Sequence, residues 1–408
     1  MSRPARTVDV LVVGAGPAGL AAAARLAGAG AGAVEIVERE QQAGGIPRHC
    51  GHGGFGPRDL RRPMSGPQYA RRLVDDAVRA GADLRTGVTV TGWSGPRTLD
   101  TTSPAGLERI TARAVVLATG ARERPRSARL VPGTRPAGVL TTGELQQEVH
   151  LHGRRVGSRA IVVGAEPIAF SAVRTLWAAG VEVVAMVTDQ ARRPPHPLLS
   201  RRVPLLTGAT VTELTGRGRL TGVGLRHLDG RTTTVGCDTV VFTGDWIPDH
   251  ELARRGGIPL DPGTRGPAVD TAFRTAEAGV FAVGNLLHGV EPAGTAAEEG
   301  RYVADPVLRH LAGARWPDGG LRLKVAGPLQ WVAPNRIAPD GPRPVRDRFL
   351  LRTCESLARP VLAVSQDGRV LRRQRMLRTA LPGRGLYLRA DWIGRADEGG
   401  GPVEITAY

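Results

Sequence analysis

Three glycines and one acid carry the clearest chemistry in this chain. Gly14, Gly16 and Gly19 form G-x-G-x-x-G within VDVLVVGAGPAGLAAAARL, and Glu38 closes VEIVE. That pattern suits a dinucleotide. Gly14 permits a tight turn off a strand. Gly16 removes the side chain that would hold a diphosphate away from a helix N-terminus, and Gly19 lets helix and strand pack closely. Pro17 and Ala18 open the helix. Glu38, followed by Arg39, stands where a carboxylate accepts bonds from ribose hydroxyls. A second cluster lies at residues 44–56, GGIPRHCGHGGFG, where Arg48, His49 and His52 flank Cys50. Arg48 suits bidentate capture of a carboxylate or phosphate, and either histidine can move a proton near neutral pH. The alternative is that these three residues hold cofactor phosphates or loop backbone. A metal is not expected there, because no clear fourth ligand accompanies Cys50, His49 and His52.

Positioning the first set requires particular elements. Residues 10–13 are a continuous apolar run, as a buried parallel strand demands, and residues 34–37 are a second. An Ala-rich helix lies between them. About 150 residues on, SRAIVVGAEPIAFSAVRTLWAAGVEVVAMVTD repeats the plan. Gly164 is its first glycine, Glu166 takes the place of the second, and Ala169 that of the third. Glu166 sets a carboxylate where a diphosphate would approach, and like charges repel. Pro167 removes a backbone N–H from the turn. Val187 and Thr188 fall near the ribose-reading position, with Asp189 slightly late. Either NAD(P)H binds through adapted contacts, or the domain keeps its fold without nucleotide affinity.

A chain of 408 residues with 41% hydrophobic residues has room for two or three cored domains. The net charge of +17 rests almost entirely on arginine, with Lys324 the single lysine, and the arginines are scattered. No one-faced basic patch is visible, so nucleic acid is not the expected partner. The three cysteines, Cys50, Cys237 and Cys354, offer no CxxC for zinc or a redox pair, which fits a reducing cytoplasm. Arg3 and Arg6 precede an apolar run, but Asp9 interrupts it, so strand-turn-helix is expected rather than a signal peptide. No run of about 20 apolar residues predicts a membrane span. His150 and His152 in VHLH lack a third metal ligand.

Other motifs make the match more specific. AVVLATGARERP is an apolar strand ending in Ala118, Thr119 and Gly120. TAFRTAEAGVFAVGN is a later strand ending in Gly284 and Asn285, and EPAGTAAEEGRYVADPVL reads as a helix. DTVVFTGDWIPDHEL closes the second domain. Over residues 8 to 315 this set resembles the two-dinucleotide-domain flavoproteins, the pyridine nucleotide-disulfide oxidoreductase superfamily. The resemblance implies FAD at the first site. FAD contacts then fall to Gly14, Gly16, Pro17, Ala18, Gly19, Glu38, Arg39, Gly45, Arg48, Val90, Ala118, Thr119, Gly120, Gly284, Asn285, Thr295 and Ala296. Asn285 stands where the superfamily usually has Asp and brings no charge. Where members of the superfamily carry a cysteine pair after Gly-Gly, this chain has Pro47 and His52, and Cys50 is out of register. A disulfide reductase mechanism is therefore not expected.

GGIPRHC, the altered second motif and TTGELQQ at residues 141–147 resemble one branch, the FAD subunits of amine-oxidising dehydrogenases. These include opine oxidase and hydrogen cyanide synthase subunits, the related part of sarcosine oxidase, and flavoproteins that accompany glycerol-3-phosphate dehydrogenases. Many of those carry a cysteine-rich iron–sulfur segment, for which this chain lacks ligands. The expected fold is α/β, with two Rossmann-like domains, the second inserted in the first, and a small all-β C-terminal domain. The expected boundaries are 1–150 and 253–315 for FAD, 151–252 for the NAD(P)-like domain, and 321–408 for the β domain. In that last domain Asp367-Gly368 marks a hairpin, and Asn335 and Arg336 in WVAPNRI close a turn or make a specific contact. The expected activity is hydride transfer from a small amine, amino-acid-like or hydroxy substrate to FAD, with Arg48, His49 and His52 as catalytic candidates. An NAD(P)H-dependent flavin reductase serving a protein partner is the first alternative. A FAD-bearing scaffold subunit of a heteromeric dehydrogenase is the second. A partner dehydrogenase or electron-acceptor subunit fits each case.

Overall fold

The structure is a computed structural model that describes residues 4–191, 203–339 and 341–408. Arg3 of the N-terminal reading lies outside the described residues. The chain divides into two compact units. One comprises Met1–Arg48, Gly54–Ala121 and Pro248–Tyr408; the other comprises His49–Gly53 and Arg122–Ile247. The inserted unit therefore begins at Arg122, upstream of the expected boundary at 151, and ends at Ile247 rather than 252. The reason is one short strand. Strand Val139–Thr141 pairs with Thr239–Phe242 and joins the inserted sheet, and helix Thr142–His150 follows it directly.

In the first unit the predicted apolar runs become a seven-stranded sheet. Ala5–Val13 lies between Val34–Glu38 and Gly106–Leu117, parallel to both. Asp83–Thr86 extends one side, and Val280–Ala282 pairs with the end of Gly106–Leu117, at residues 115–117. The lower half of that long strand instead pairs with Thr98–Ser103, which pairs with Thr89–Gly95. The helix Pro17–Gly28 is Ala-rich because it is covered by a second helix, Ala293–Leu311. A Cβ on Gly300 would stand 2.0 Å from the Ala18 carbonyl oxygen, so only glycine permits that approach. Their shared core includes Leu11, Leu20, Val116, Phe281 and Val303, all buried.

The same unit holds the β-rich C-terminal region. A five-stranded sheet contains Leu321–Val325, Val403–Ala407, Val361–Gln366 and Arg369–Arg375, and a three-stranded sheet contains Leu329–Ala333, Arg348–Thr353 and Leu386–Arg389. Asp367 and Gly368 join the hairpin with φ of 48° and 79°, the left-handed pair a two-residue hairpin turn needs. Phe349, Trp392, Leu388 and Ile405 fill the core of this region. Asn335 makes the specific contact. Its Oδ1 accepts from Val269 N–H at 2.9 Å and its own N–H donates to Val269 O at 3.2 Å.

The inserted unit repeats the parallel plan. Its sheet order is Val139–Thr141, Thr239–Phe242, Arg159–Val163, Glu182–Val187 and Leu205–Leu206. An antiparallel meander of Ala209–Thr215, Gly222–His227 and Thr232–Gly236 accompanies it. Among the described residues no helix is long and apolar enough to cross a membrane.

Candidate functional site

The first glycine turn is built for a large, close ligand. Gly14 has φ +104°, and a Cβ there would stand 2.6 Å from the Ala118 carbonyl oxygen. A Cβ on Gly19 would stand 2.0 Å from Gly14 O, so strand and helix touch through backbone alone. Gly16 differs: nothing lies within 4 Å of its Cβ position. The space that a side chain would fill is open, at the N-cap of Pro17–Gly28, with Pro17 in the first turn of that helix. Unsatisfied helix N–H groups and the helix dipole favour a diphosphate there.

Around this turn the predicted residues converge unequally. Glu38 sits at the end of its strand, accepting from Ala15 N–H at 2.8 Å through Oε2 and from Glu40 N–H at 3.0 Å through Oε1. Each oxygen keeps a lone pair for a ribose hydroxyl. Gly44 and Gly45 cross the turn. Gly44 N–H donates to Ala15 O at 2.8 Å, and a Cβ on Gly45 would be 2.9 Å from Gly16 Cα. Their glycine requirement thus comes from packing on the turn itself. Gly284 (φ +74°) packs on Ala18, where its Cβ would meet the alanine methyl at 2.7 Å. Ala296 is buried beside it, and the hydroxyl of Thr295 is buried without a hydrogen-bond partner. That orphaned hydroxyl, in the first turn of Ala293–Leu311, fits a bound group. Ala118 N–H bonds Val13 O, Thr119 Oγ1 donates to Asp249 O, and Gly120 has φ +78°. Arg39 is exposed and pairs with Asp249 at 3.1 Å, and Val90 is half-buried on Thr89–Gly95.

Two expected roles meet competing partners. Asn285 does not present a free amide. Its Nδ2 donates to Glu291 O at 3.2 Å and its Oδ1 accepts from Glu291 N–H at 2.9 Å, so the side chain pins the following loop. Arg48 is ion-paired with Glu40, and its Nη1 lies 3.4 Å from Gln42 Oε1. A substrate carboxylate would have to displace Glu40.

His49, Cys50 and His52 belong to the inserted unit. The Cys50 thiol is buried, donates to Gln146 Oε1 at 3.3 Å, and is pushed up to about 12 by burial. It stays protonated and is a poor nucleophile. His49 is buried, and His52 Nδ1 lies 2.7 Å from Gly53 O. The His150 ring packs against Gly51, where a Cβ would meet it at 2.5 Å. Burial, then the nearby His52, lowers the His150 pKa. Among the described residues no group of three His, Cys, Asp or Glu could hold a metal.

The second turn keeps the shape and fills the space. Gly164 has φ +140° and Ala169 is buried in the third place. The Glu166 carboxylate folds back over the turn. Ala165 N–H donates to its Oε2 at 3.0 Å, and Cβ atoms on Gly164 and Gly244 would stand 2.7 and 3.1 Å from its oxygens. Burial raises its pKa against hydrogen bonds from Thr243 and Ala165. Glu123, not singled out from the sequence, lies in the same cluster. It accepts from Gly143 N–H at 2.7 Å, and burial pushes it up to about 7, with the charge of Glu166 adding to the rise. Arg129 closes the cluster by donating to the carbonyls of Thr243 and Gly244 at 3.1 and 2.6 Å.

Comparison with known proteins agrees with this architecture. The family model described as pyridine nucleotide-disulphide oxidoreductase matches residues 8–300. An opine oxidase subunit from Agrobacterium tumefaciens (strain Ach5) is 26% identical over 74% of the chain and 66% of its own length. The alpha subunit of sarcosine oxidase from Rhizobium meliloti (strain 1021) is 29% identical over 74% of the chain and 30% of its own length. The chain thus spans less than two thirds of either relative. Thioredoxin reductase of Mycolicibacterium smegmatis is 28% identical over 76% of the chain and 99% of its own length. The crystal structure of T. acidophilum thioredoxin reductase superposes with a TM-score of 0.61 at 23% identity, covering 74% of this chain and 98% of that one.

Proposed function

The chain belongs to the pyridine nucleotide-disulphide oxidoreductase family and is an FAD-dependent oxidoreductase; from that premise we propose that a small amine, amino-acid-like or hydroxy substrate gives hydride to the FAD. When bound, FAD supplies the two-electron acceptor. Gly14, Gly16, Gly19 and Glu38 hold its diphosphate and ribose, and Gly45, Gly284, Thr295 and Ala296 border it. The observation that carries the reading is the Glu166 carboxylate folded over the second glycine turn, which opposes NAD(P)H as the electron source. The buried, protonated Cys50 opposes thiol–disulfide exchange in the same way. Arg48 orients a substrate carboxylate by exchanging its Glu40 partner.

A second reading has its own support. The matched oxidase relatives are subunits, and Arg48 already has an acidic partner. In that reading the chain carries FAD beside a partner subunit that binds the substrate. One experiment separates the two: follow flavin absorbance anaerobically with NADH, NADPH and a panel of small amines and hydroxy acids. The first reading expects bleaching by a member of the panel and none by either nucleotide. Bleaching only after co-purification with a partner subunit supports the second. Rapid bleaching by NADPH overturns both in favour of a flavin reductase.

A further inference from the structure

The β-rich C-terminal region has no role in the site as described so far, yet a buried polar chain runs from it to the Gly284 turn. Trp331 on Leu329–Ala333 and Arg352 on Arg348–Thr353 are cross-strand partners. Both side chains are buried, and the Arg352 guanidinium lies 5.1 Å from the centre of the Trp331 ring. Arg352 ion-pairs with buried Glu291, whose backbone is held on both sides by the Asn285 amide. The other face of this link is His288. Its ring stacks on Trp331, with centroids 5.9 Å apart at 19°, and its Nε2 lies 2.8 Å from Glu299 Oε1. Glu299 Oε2 then accepts from Gly284 N–H at 2.9 Å. Two routes therefore end on neighbouring residues, Arg352–Glu291–Asn285 and Trp331–His288–Glu299–Gly284.

Removing water from such groups is costly, and truncating one partner alone strands a buried charge, so these pairs constrain the loop that carries them. The pairs hold a loop in one conformation, and residues 284 and 285 begin that loop beside Ala18 of the first glycine turn. We infer that the C-terminal β region positions the Gly284–Asn285 turn for FAD, with Arg352 and Trp331 as positioning residues. The inference rests on the first site being the FAD site. It makes FAD retention depend on residues that lie outside both dinucleotide motifs.

The test is fluorescence titration of the apoprotein with FAD, together with the visible circular dichroism of the bound flavin. The double substitution Arg352→Met with Glu291→Gln removes the ion pair without stranding a buried charge. It is expected to raise the FAD Kd at least ten-fold and to alter the flavin dichroism. Trp331→Phe keeps the volume of the core better and is expected to raise Kd several-fold, which keeps the test sharp if the double variant folds poorly. Arg372→Met, which breaks the Arg372–Asp391 pair elsewhere in the same region, is expected to leave Kd within two-fold. Unchanged Kd and dichroism in the Arg352 and Trp331 variants overturn the inference, as does an equal loss in Arg372→Met. A wild-type apoprotein that takes up no FAD overturns the site assignment instead.

Discussion

Residues 14–19 and 164–169 are two versions of one turn, GAGPAG and GAEPIA, each between a buried parallel strand and a twelve-residue helix. Both have a left-handed first glycine and a proline in the first helical turn, so Pro167 does not set them apart. The third position is buried in both. The difference is the second position. At Gly16 the space beyond the backbone is open; at Glu166 the chain's own carboxylate lies in the turn and takes a hydrogen bond from Ala165 N–H. A helix N-terminus attracts an anion whichever molecule supplies it. In the first turn that anion has to come from a ligand; in the second the Glu166 side chain folds back into the turn and caps no helix N–H.

Transplanting the acid is the most direct way to break the comparison. Gly16→Glu places a carboxylate in the open cradle; like charges about 4 Å apart cost about 4 kcal/mol at an effective dielectric of 20, roughly a thousand-fold in Kd. The purified variant is expected to be colourless at 450 nm under conditions where wild type is yellow, and a full FAD complement would show that the second position does not decide binding. Glu38→Ala removes a charged acceptor that also braces Ala15 and Glu40, so the FAD Kd is expected to rise about 10- to 100-fold. Titration of the apoprotein reads this, and an unchanged Kd would remove Glu38 from the ribose site.

The reverse substitution sharpens the comparison from the other side. Glu166→Gly clears the second cradle and is expected to tighten NADH or NADPH binding at least ten-fold, about 1.4 kcal/mol, by calorimetry. No gain over wild type would place the lesion elsewhere in the turn. The last effect concerns pH. Glu123 is held up at about 7 by burial, above the ordinary carboxyl range, so the folded protein binds its proton more tightly than the unfolded chain does. Its contribution is present at low pH and is lost as pH rises through about 7. Glu166 and Arg129 face the same cluster. Glu123→Gln is therefore expected to flatten the fall in melting temperature between about pH 5 and 7. An unaltered slope would assign the pH response to other groups.

Much of this architecture was readable because it is local. The apolar runs at 10–13, 34–37 and 160–163 became buried parallel strands, and the helix after each turn began at its proline. The Asp367-Gly368 hairpin formed as its two-residue turn chemistry dictates. Other features were not local. Arg48 and Asn285 read from the sequence as ligand contacts, but a short loop brings Glu40 to one and Glu291 to the other. Glu123 and Glu166 meet although 43 residues separate them, and no spacing rule announces such a pair. The unit boundary moved to Arg122 because a three-residue strand, too short to carry a period, joined the inserted sheet.

By itself, then, the amino-acid sequence determined the two Rossmann-like domains, a dinucleotide cradle at the first turn and the changed second turn. Each of these depends on glycine positions and hydrophobic runs within about 30 residues, where backbone sterics and periodicity act directly. Only the tertiary structure decided which charged groups remain available. Arg58 reaches Glu298 across 240 residues and Arg352 reaches Glu291 across 61, and such pairings follow from how distant elements pack. The cost of leaving a buried charge unpaired enforces them once the fold has formed.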